Sequence, residues 1–182
     1  MKSVVYKAVL SIIFLMMLFI SVPNSANAAY LFPPLLEGLT YKNYGDTFNK
    51  VAKSNGFYDI VLSHSMVLST DDNEIVMTLG HNNSLLSGAF FTDANGDICM
   101  IWYKYKPSDE KQKDLIVEVL TCSLLACNWN IDTARNFVEK AFSEGSAGLT
   151  ANGRLYMIEA NREYDKYENI KSIVLFAEPD LF

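Results

Sequence analysis

The sequence predicts an α+β fold with an antiparallel sheet of about six strands. Three observations lead to this class: alternating apolar segments are grouped along the chain, short turn motifs separate them, and the helical segments lie outside the groups. The predicted order is α-β-β-β-β-α-α-β-β. Strands that follow one another through short turns pair antiparallel, and their grouping is typical of α+β proteins. Each predicted helix has one apolar stripe, so we expect the helices to pack mainly on one face of the sheet.

Residues 1–28 have the pattern of a secretory signal peptide. Two lysines precede an apolar stretch, residues 8–22, and Ala26-Asn27-Ala28 forms a small-residue cleavage site. A membrane anchor is the alternative, but a spanning helix needs about 20 apolar residues and this stretch is shorter. We expect cleavage after Ala28, no stable membrane insertion of the remaining chain, and a secreted or periplasmic (cell-envelope) location.

The rest of the chain predicts an arm, residues 29–39, followed by a single α+β domain, residues 40–182. Pro33 and Pro34 favour extended backbone, so we expect the arm to lie on the domain. The full chain has a formal net charge of −6, and removing residues 1–28 takes away two lysines and no acid. This acidity argues against nucleic acid as a partner, because proteins recognise phosphate through basic patches.

One helix and four strands are predicted for the first half of the domain. The helix runs from Thr40 to Ser54, where apolar residues recur at helical spacing before the stop signal Asn55-Gly56. Turn residues, among them the hairpin-favouring pair Asn95-Gly96, separate the strands that follow. These strands are predicted over residues 58–68, 74–79, 84–91 and 98–105.

Two helices and two strands complete the predicted domain. Ser108 is expected to cap a helix that ends near Cys127, and Asp132 to cap a shorter helix that Gly145 stops. Residues 145–153, which are rich in Gly, Ser and Ala, are predicted as a loop. The last strands are predicted over residues 154–160 and 170–177, joined by a charged, tyrosine-rich loop.

The three cysteines, Cys99, Cys122 and Cys127, allow at most one disulfide within a monomer. Five helical residues place the Cα atoms of Cys122 and Cys127 about 8.6 Å apart, whereas a disulfide needs less than about 7 Å. Three arrangements stay open: three buried or half-buried thiols, a bridge from Cys99 to one helix cysteine, or a local bridge where the helix ends early. The cysteine and histidine spacings match no metal site, and no cofactor is indicated.

No catalytic motif is found in the sequence. Phosphate-binding glycine loops and the HExxH motif are absent. Asp93, Asn95 and Asp97 begin like a calcium loop, but Ile98 stands where such loops need Gly and Lys104 where they need Glu. We therefore assign these residues to a hairpin turn.

His64 is the residue around which an enzymatic site could be built, as an alternative to a protein without catalytic activity. It lies between Leu62 and Met66 on the apolar side of the first predicted strand, where a lone histidine is more often a core residue than a base. A nearby serine, such as Ser63 or Ser65, would complete a nucleophile and base pair. The alternative function is thus a small secreted hydrolase with a site near His64.

The aromatic residues of the strands form the candidate binding site: Trp102, Tyr103 and Tyr105 on the fourth strand, and Tyr156 on the next. If the helices cover one face, some of these rings line the other, where they would contact a protein or a small ligand. The plan of signal plus one compact domain is similar to that of many small exported bacterial proteins, although no motif carries this likeness. We expect a non-catalytic extracytoplasmic binding module, with self-association through the aromatic face as an alternative.

Overall fold

The computed structural model describes residues 32–67, 74–81, 84–93, 95–167 and 169–178. Within these residues, three α-helices and an antiparallel sheet confirm the predicted α+β class. The predicted signal segment, as well as the predicted turn at residues 71–73, lies outside them.

The elements follow the predicted order, with one additional strand. The helices are α1 (Tyr41–Ser54), α2 (Glu110–Ala126) and α3 (Ile131–Glu144). The strands are β1 (Val61–Val67), β2 (Glu74–His81), β3 (Ser84–Thr92), β4 (Ile98–Tyr105), β5 (Ser146–Ala151), β6 (Arg154–Asp165) and β7 (Ile170–Glu178). Their order across the sheet is β1-β2-β3-β4-β7-β6-β5, and all neighbours are antiparallel. β1 and β5 are thus the two edges of the described sheet.

The sheet has seven strands instead of about six, because β5 lies within the segment predicted as a loop. Asn152 and Gly153 have φ angles of 52° and 76°, so both adopt the left-handed conformation of a two-residue hairpin turn. This turn folds β5 directly back along β6. Residues 145–153 are mostly small or polar, so they lack the alternating apolar residues from which a strand is predicted.

The three helices contact the same face of the sheet. The Tyr44 ring of α1 lies 4.7 Å from the Phe90 ring of β3. The hydroxyl oxygens of Tyr103 on β4 and Ser123 on α2 lie 3.3 Å apart. The rings of Tyr105 and of Phe142 on α3 lie 5.9 Å apart. Since side chains alternate along a strand, the other face of β4 carries Met100, Trp102 and Lys104, all partly exposed.

Residues 32–39 cross the end of the sheet where β4 begins. Leu35 donates its N–H to the carbonyl oxygen of Ile98 at 2.8 Å, and Ile98 donates its own N–H to Leu39 at 2.9 Å. Tyr156 donates its hydroxyl to the carbonyl oxygen of Leu35 at 2.5 Å. These bonds fix the segment before α1. Its first residue, Phe32, then lies beside the uncovered face.

Short side chains cap α2 and α3, one residue or two from the predicted caps. Asp109 accepts hydrogen bonds from the N–H groups of Lys111 and Gln112, and it takes the role predicted for Ser108. Asn130 accepts the N–H of Asp132, the residue predicted as the cap of α3. Both caps satisfy N–H groups that lack partners within the helix.

Candidate functional site

A groove of about 460 Å³ lies on the face of the sheet that the helices leave uncovered. Six of its lining side chains are apolar, and the other three are polar or acidic. The lining residues are Phe32, Phe91, Met100, Trp102, Glu159, Glu163, Ser172, Val174 and Phe176.

The central strands supply the floor of the groove through their register. Met100 of β4 pairs with Phe176 of β7, and Trp102 pairs with Val174. Directly opposite residues of antiparallel strands share one face, so these four side chains form a continuous apolar strip. Val174 and Phe176 are buried, at 5% and 9% exposure, whereas Met100 and Trp102 are partly exposed.

Aromatic rings form the wall at the end of the sheet where β4 begins. The Phe32 ring packs edge to face against Phe176, with ring centroids 5.0 Å apart. Phe91 of β3 pairs with Met100 and closes the side toward β3. Edge-to-face packing is a favoured arrangement of aromatic pairs, and it fixes the position of Phe32.

The opposite end of the groove is polar. Glu159 of β6 pairs with Val174, and Ser172 of β7 is 5% exposed. The register of β6 shifts after Glu159, which brings Glu163 to the groove as well. The Lys104 ammonium lies 4.8 Å from the centroid of the Trp102 ring, at the border between the apolar floor and the polar end.

Three of the four predicted binding residues lie in the core and not on the uncovered face. Tyr103 and Tyr156 are 0% exposed, and Tyr105 is 2% exposed. Their rings project toward the helices, where the hydroxyl of Tyr103 meets Ser123 and that of Tyr156 meets the carbonyl of Leu35. The prediction that these three tyrosines anchor a contact surface is therefore wrong, because a buried ring has no face for a partner.

Trp102 is the predicted binding residue that does line the groove. Phe32, Phe176 and Met100 also line the groove, although they are not among the residues predicted from the sequence. Alternation along β4 put Met100 on the same face as Trp102, so this part of the site was within reach of the sequence. The places of Phe32 and Phe176 depend on the pairing of β4 with β7 and on the path of the preceding segment, which no local pattern reveals.

All three cysteines are free and buried in this structure. Burial raises the pKa of Cys99 to about 11 and those of Cys122 and Cys127 to about 12. Desolvation disfavours the thiolate, which is the reactive form of cysteine. The arrangement corresponds to the first of the three predicted ones, and burial disfavours a nucleophilic thiolate at neutral pH.

Other candidate chemistry is limited within the described part of the chain. No group of three or more His, Cys, Asp and Glu side chains there is placed to hold a metal ion. None of the helices found in those ranges has the length and apolar character needed to cross a membrane. The backbone of His64 pairs with Thr78 of β2, but its side chain lies outside the description, so the predicted hydrolase site stays a prediction.

Comparison with known proteins identifies no relative of the chain. No family model, no curated protein and no solved structure matches the chain. The groove and the pattern of residues 1–28 are therefore the features that bear on its function.

Proposed function

We propose that the protein is a non-catalytic binding module of the extracytoplasmic space, and that its groove takes a ligand with an apolar body. The observation that carries this proposal is the apolar strip of Met100, Trp102, Val174 and Phe176, bounded by Phe32, in which Met100 and Trp102 are partly exposed. When an apolar ligand displaces water from such a surface, the free energy of binding becomes more favourable by about 25 cal/mol per Å² of apolar surface buried.

The shape and composition of the groove resemble those of general ligand sites. A volume of about 460 Å³ lies within the range of small-molecule pockets, which are mostly apolar with a few placed polar groups. Trp102 offers a large rigid surface, whereas Met100 adapts its shape to different ligands. The groove therefore suits an elongated apolar group or an apolar side chain of a protein partner.

The charges at the polar end favour one class of ligand over another. Among the lining residues that the structure describes, Glu163 is an exposed carboxylate, whereas the neighbouring Lys104 ammonium lies over the Trp102 ring. Carboxylates repel an anionic headgroup and attract a cationic one, and like charges brought together at an interface are costly. We expect an apolar ligand with a neutral or positively charged end to bind better than one with a negatively charged end.

A fluorescent apolar probe tests this function. N-phenyl-1-naphthylamine is uncharged and brightens in an apolar environment, so it should bind the wild-type protein with saturable fluorescence. Trp102→Ala removes the largest partly exposed side chain of the floor and should weaken binding about tenfold, from the lost apolar contact. Tyr58→Ala is the matched control, because Tyr58 is 72% exposed and lies outside the groove.

Competition between two chains of equal length tests the charge preference. Decyltrimethylammonium should displace the probe at lower concentration than decanoate, and Glu163→Gln should reduce the difference. Equal probe binding by wild type and Trp102→Ala would remove the groove from consideration. Stronger displacement by decanoate would contradict the preference for a cationic end while leaving an apolar site in place.

The extracytoplasmic location rests on the pattern of residues 1–28 alone. Expression of the full-length sequence in a bacterial host should release a chain that begins at Ala29. Intact-mass measurement of the protein from the periplasm or medium identifies this N terminus. A full-length chain retained in the cytoplasm would contradict the proposal.

A further inference from the structure

The two edges of the sheet differ in how their backbone groups are satisfied. At the β1 edge, Asn49 of α1 takes the place of a further strand. Its Oδ1 accepts the N–H of Leu62 at 2.8 Å, and its Nδ2 donates to the Leu62 carbonyl oxygen at 3.3 Å. The register of β1 also shifts between Leu62 and His64. An irregular edge with occupied backbone groups disfavours pairing with another chain.

Hydrogen bonds at both ends of β5 show which of its residues bond to β6. At one end, Ala160 donates its N–H to the carbonyl oxygen of Gly145 at 2.8 Å, so these two residues form a hydrogen-bonded pair. At the other end, the two-residue turn closes on the pair Ala151 and Arg154, which is hydrogen-bonded in hairpins of this length. Hydrogen-bonded pairs recur at every second residue, and Gly145 and Ala151 are an even number of residues apart. Both ends therefore give the same assignment of bonded residues.

The intervening residues of β5 therefore present their backbone groups outward. Ser146, Gly148 and Thr150 occupy the alternate, non-hydrogen-bonded positions opposite β6. Their N–H and C=O groups point away from the sheet, and within the described residues no other element bonds to them. In the described part of the chain, these donors and acceptors of β5 are thus unoccupied, unlike those of Leu62 on β1.

Nothing in the sequence of β5 opposes pairing with another strand. The strand reads SAGLTA, without a charged residue or proline, and its register with β6 has no shift. Leu149 is 36% exposed, an apolar side chain at the rim of the sheet. Charges, prolines and bulges are the usual means of protecting an edge, and this one lacks them.

We propose that β5 pairs antiparallel with β5 of a second copy of this chain, with Gly148 at the two-fold axis. Ser146 then lies opposite Thr150 of the partner subunit, and Gly148 opposite the partner's Gly148. In this register every outward N–H and C=O of the three residues meets an acceptor or donor. A shift by one residue would set outward groups against residues already bonded to β6.

Self-pairing fits this edge because the pattern is symmetric about Gly148. Leu149 would cover Ala147 of the partner subunit, and the same contact repeats across the axis, which is the property of an isologous interface. A Cβ atom at Gly148 would lie 2.8 Å from the sulfur of Met157 in the same subunit, and the glycine leaves the centre of the proposed interface without a side chain.

The irregular edge at β1, with the backbone groups of Leu62 occupied, disfavours growth beyond a dimer. Once the two β5 strands pair, the continuous sheet ends on both sides at β1. There, Asn49 forms hydrogen bonds with the backbone N–H and carbonyl of Leu62. A two-fold axis perpendicular to the sheet keeps both layers of helices on one side. Both grooves then open on the opposite side.

Sedimentation velocity over a wide concentration range tests the dimer with protein produced from the full-length sequence. Thr150→Pro removes an N–H that β6 does not use, and proline is tolerated at such edge positions. We expect the wild type to dimerise reversibly and Thr150→Pro to dimerise about 30-fold more weakly, from one hydrogen bond lost in each subunit. Thr150→Val keeps the N–H and the shape, so it should dimerise like the wild type.

Engineered disulfides test the register without weakening the strand. Cα atoms of a hydrogen-bonded antiparallel pair lie about 5.5 Å apart, within disulfide range. Under mild oxidation a mixture of Ser146→Cys and Thr150→Cys proteins should form a covalent dimer, whereas neither protein alone should. A monomeric wild type, an unchanged dimer of Thr150→Pro, or equal cross-linking by either single variant would each overturn the proposal.

Discussion

Tyr44 of α1 donates its hydroxyl to the Oγ of Ser123 on α2 across 2.8 Å, although the two residues are 79 positions apart. Ser123 donates its own proton to the carbonyl oxygen of Val119 at 2.8 Å and lies 3.3 Å from the hydroxyl of Tyr103. A serine oxygen has one proton and two lone pairs, so it accepts from both tyrosines while donating once. All three hydroxyls are thereby satisfied in the core, and they link α1, α2 and β4.

Ser123→Ala should therefore destabilise the fold more than the loss of one hydrogen bond. It removes the acceptor that two buried tyrosine hydroxyls share and leaves them only each other as partners, so we expect the free energy of unfolding to fall by about 2 kcal/mol in urea denaturation. Thr121→Val is the matched control, because within the described residues the Thr121 hydroxyl bonds the carbonyl of Val117 on its own helix. Equal losses for the two variants would show that the tyrosine hydroxyls have other partners.

Alkaline pH should weaken the fold through the same tyrosines. Burial raises the pKa of Tyr103 to about 12 and that of Tyr44 well above its ordinary value. An unfolded tyrosine ionises near pH 10, so above that pH the unfolded chain releases protons that the folded chain keeps. The stabilisation is complete below about pH 10 and is lost as pH rises toward 12.

The buried thiols start this loss earlier, since unfolded cysteine ionises near pH 8.5 and the pKa of folded Cys127 is raised to about 12. Urea denaturation at pH 7, 9, 10 and 11 should show constant stability up to about pH 8 and a progressive fall above it. Each buried group contributes about 1.4 kcal/mol per pH unit within its window. Stability that stays constant to pH 11 would contradict this burial.

The three thiols should be unreactive in the folded protein and fully reactive in the unfolded one. Burial and a raised pKa both suppress the thiolate, so alkylation with iodoacetamide at pH 8 should label few molecules before denaturant is added. In guanidinium, intact mass should show three additions per chain, the number of cysteines in the sequence. A single addition in denaturant would reveal a disulfide and contradict the free thiols.

Asn49→Ala should convert a closed edge into an open one. It removes the bonds to both backbone groups of Leu62, with an expected loss of about 1–2 kcal/mol in stability. It should also promote assembly beyond a dimer, because both ends of the sheet would then accept a strand. Light scattering at rising concentration measures this growth, and Asn43→Ala on the exposed start of the same helix is the control. Equal growth by the two variants would show that Asn49 does not protect the edge.

Much of the fold followed from local patterns in the sequence. Alternation and turn residues were enough to place α1, β1 to β4 and the last two strands near their observed positions. β5 was missed because SAGLTA has too few apolar residues to alternate, and its pairing depends on the turn at Asn152-Gly153. A hairpin reading of that Asn-Gly pair would have recovered the strand.

The binding face could not be assigned from the sequence for a different reason. Alternation along β4 separates Trp102 from Tyr103 and Tyr105, but it does not say which set the helices cover. That choice depends on contacts between distant residues, such as Tyr103 with Ser123 and Tyr105 with Phe142. Tyrosine is common both in cores and on contact surfaces, so residue type did not decide it either.

The accessibility of Trp102 tests the central claim, that the sheet face opposite the helices is open and holds the groove. The chain has two tryptophans, and Trp129 is buried at 7% exposure. In Trp129→Phe protein, acrylamide should quench the Trp102 fluorescence readily, and N-phenyl-1-naphthylamine should reduce this quenching. Trp102→Phe protein, which reports on Trp129, should be quenched weakly and without an effect of the probe. Equally weak quenching of both tryptophans would mean that something covers this face, and it would contradict the account.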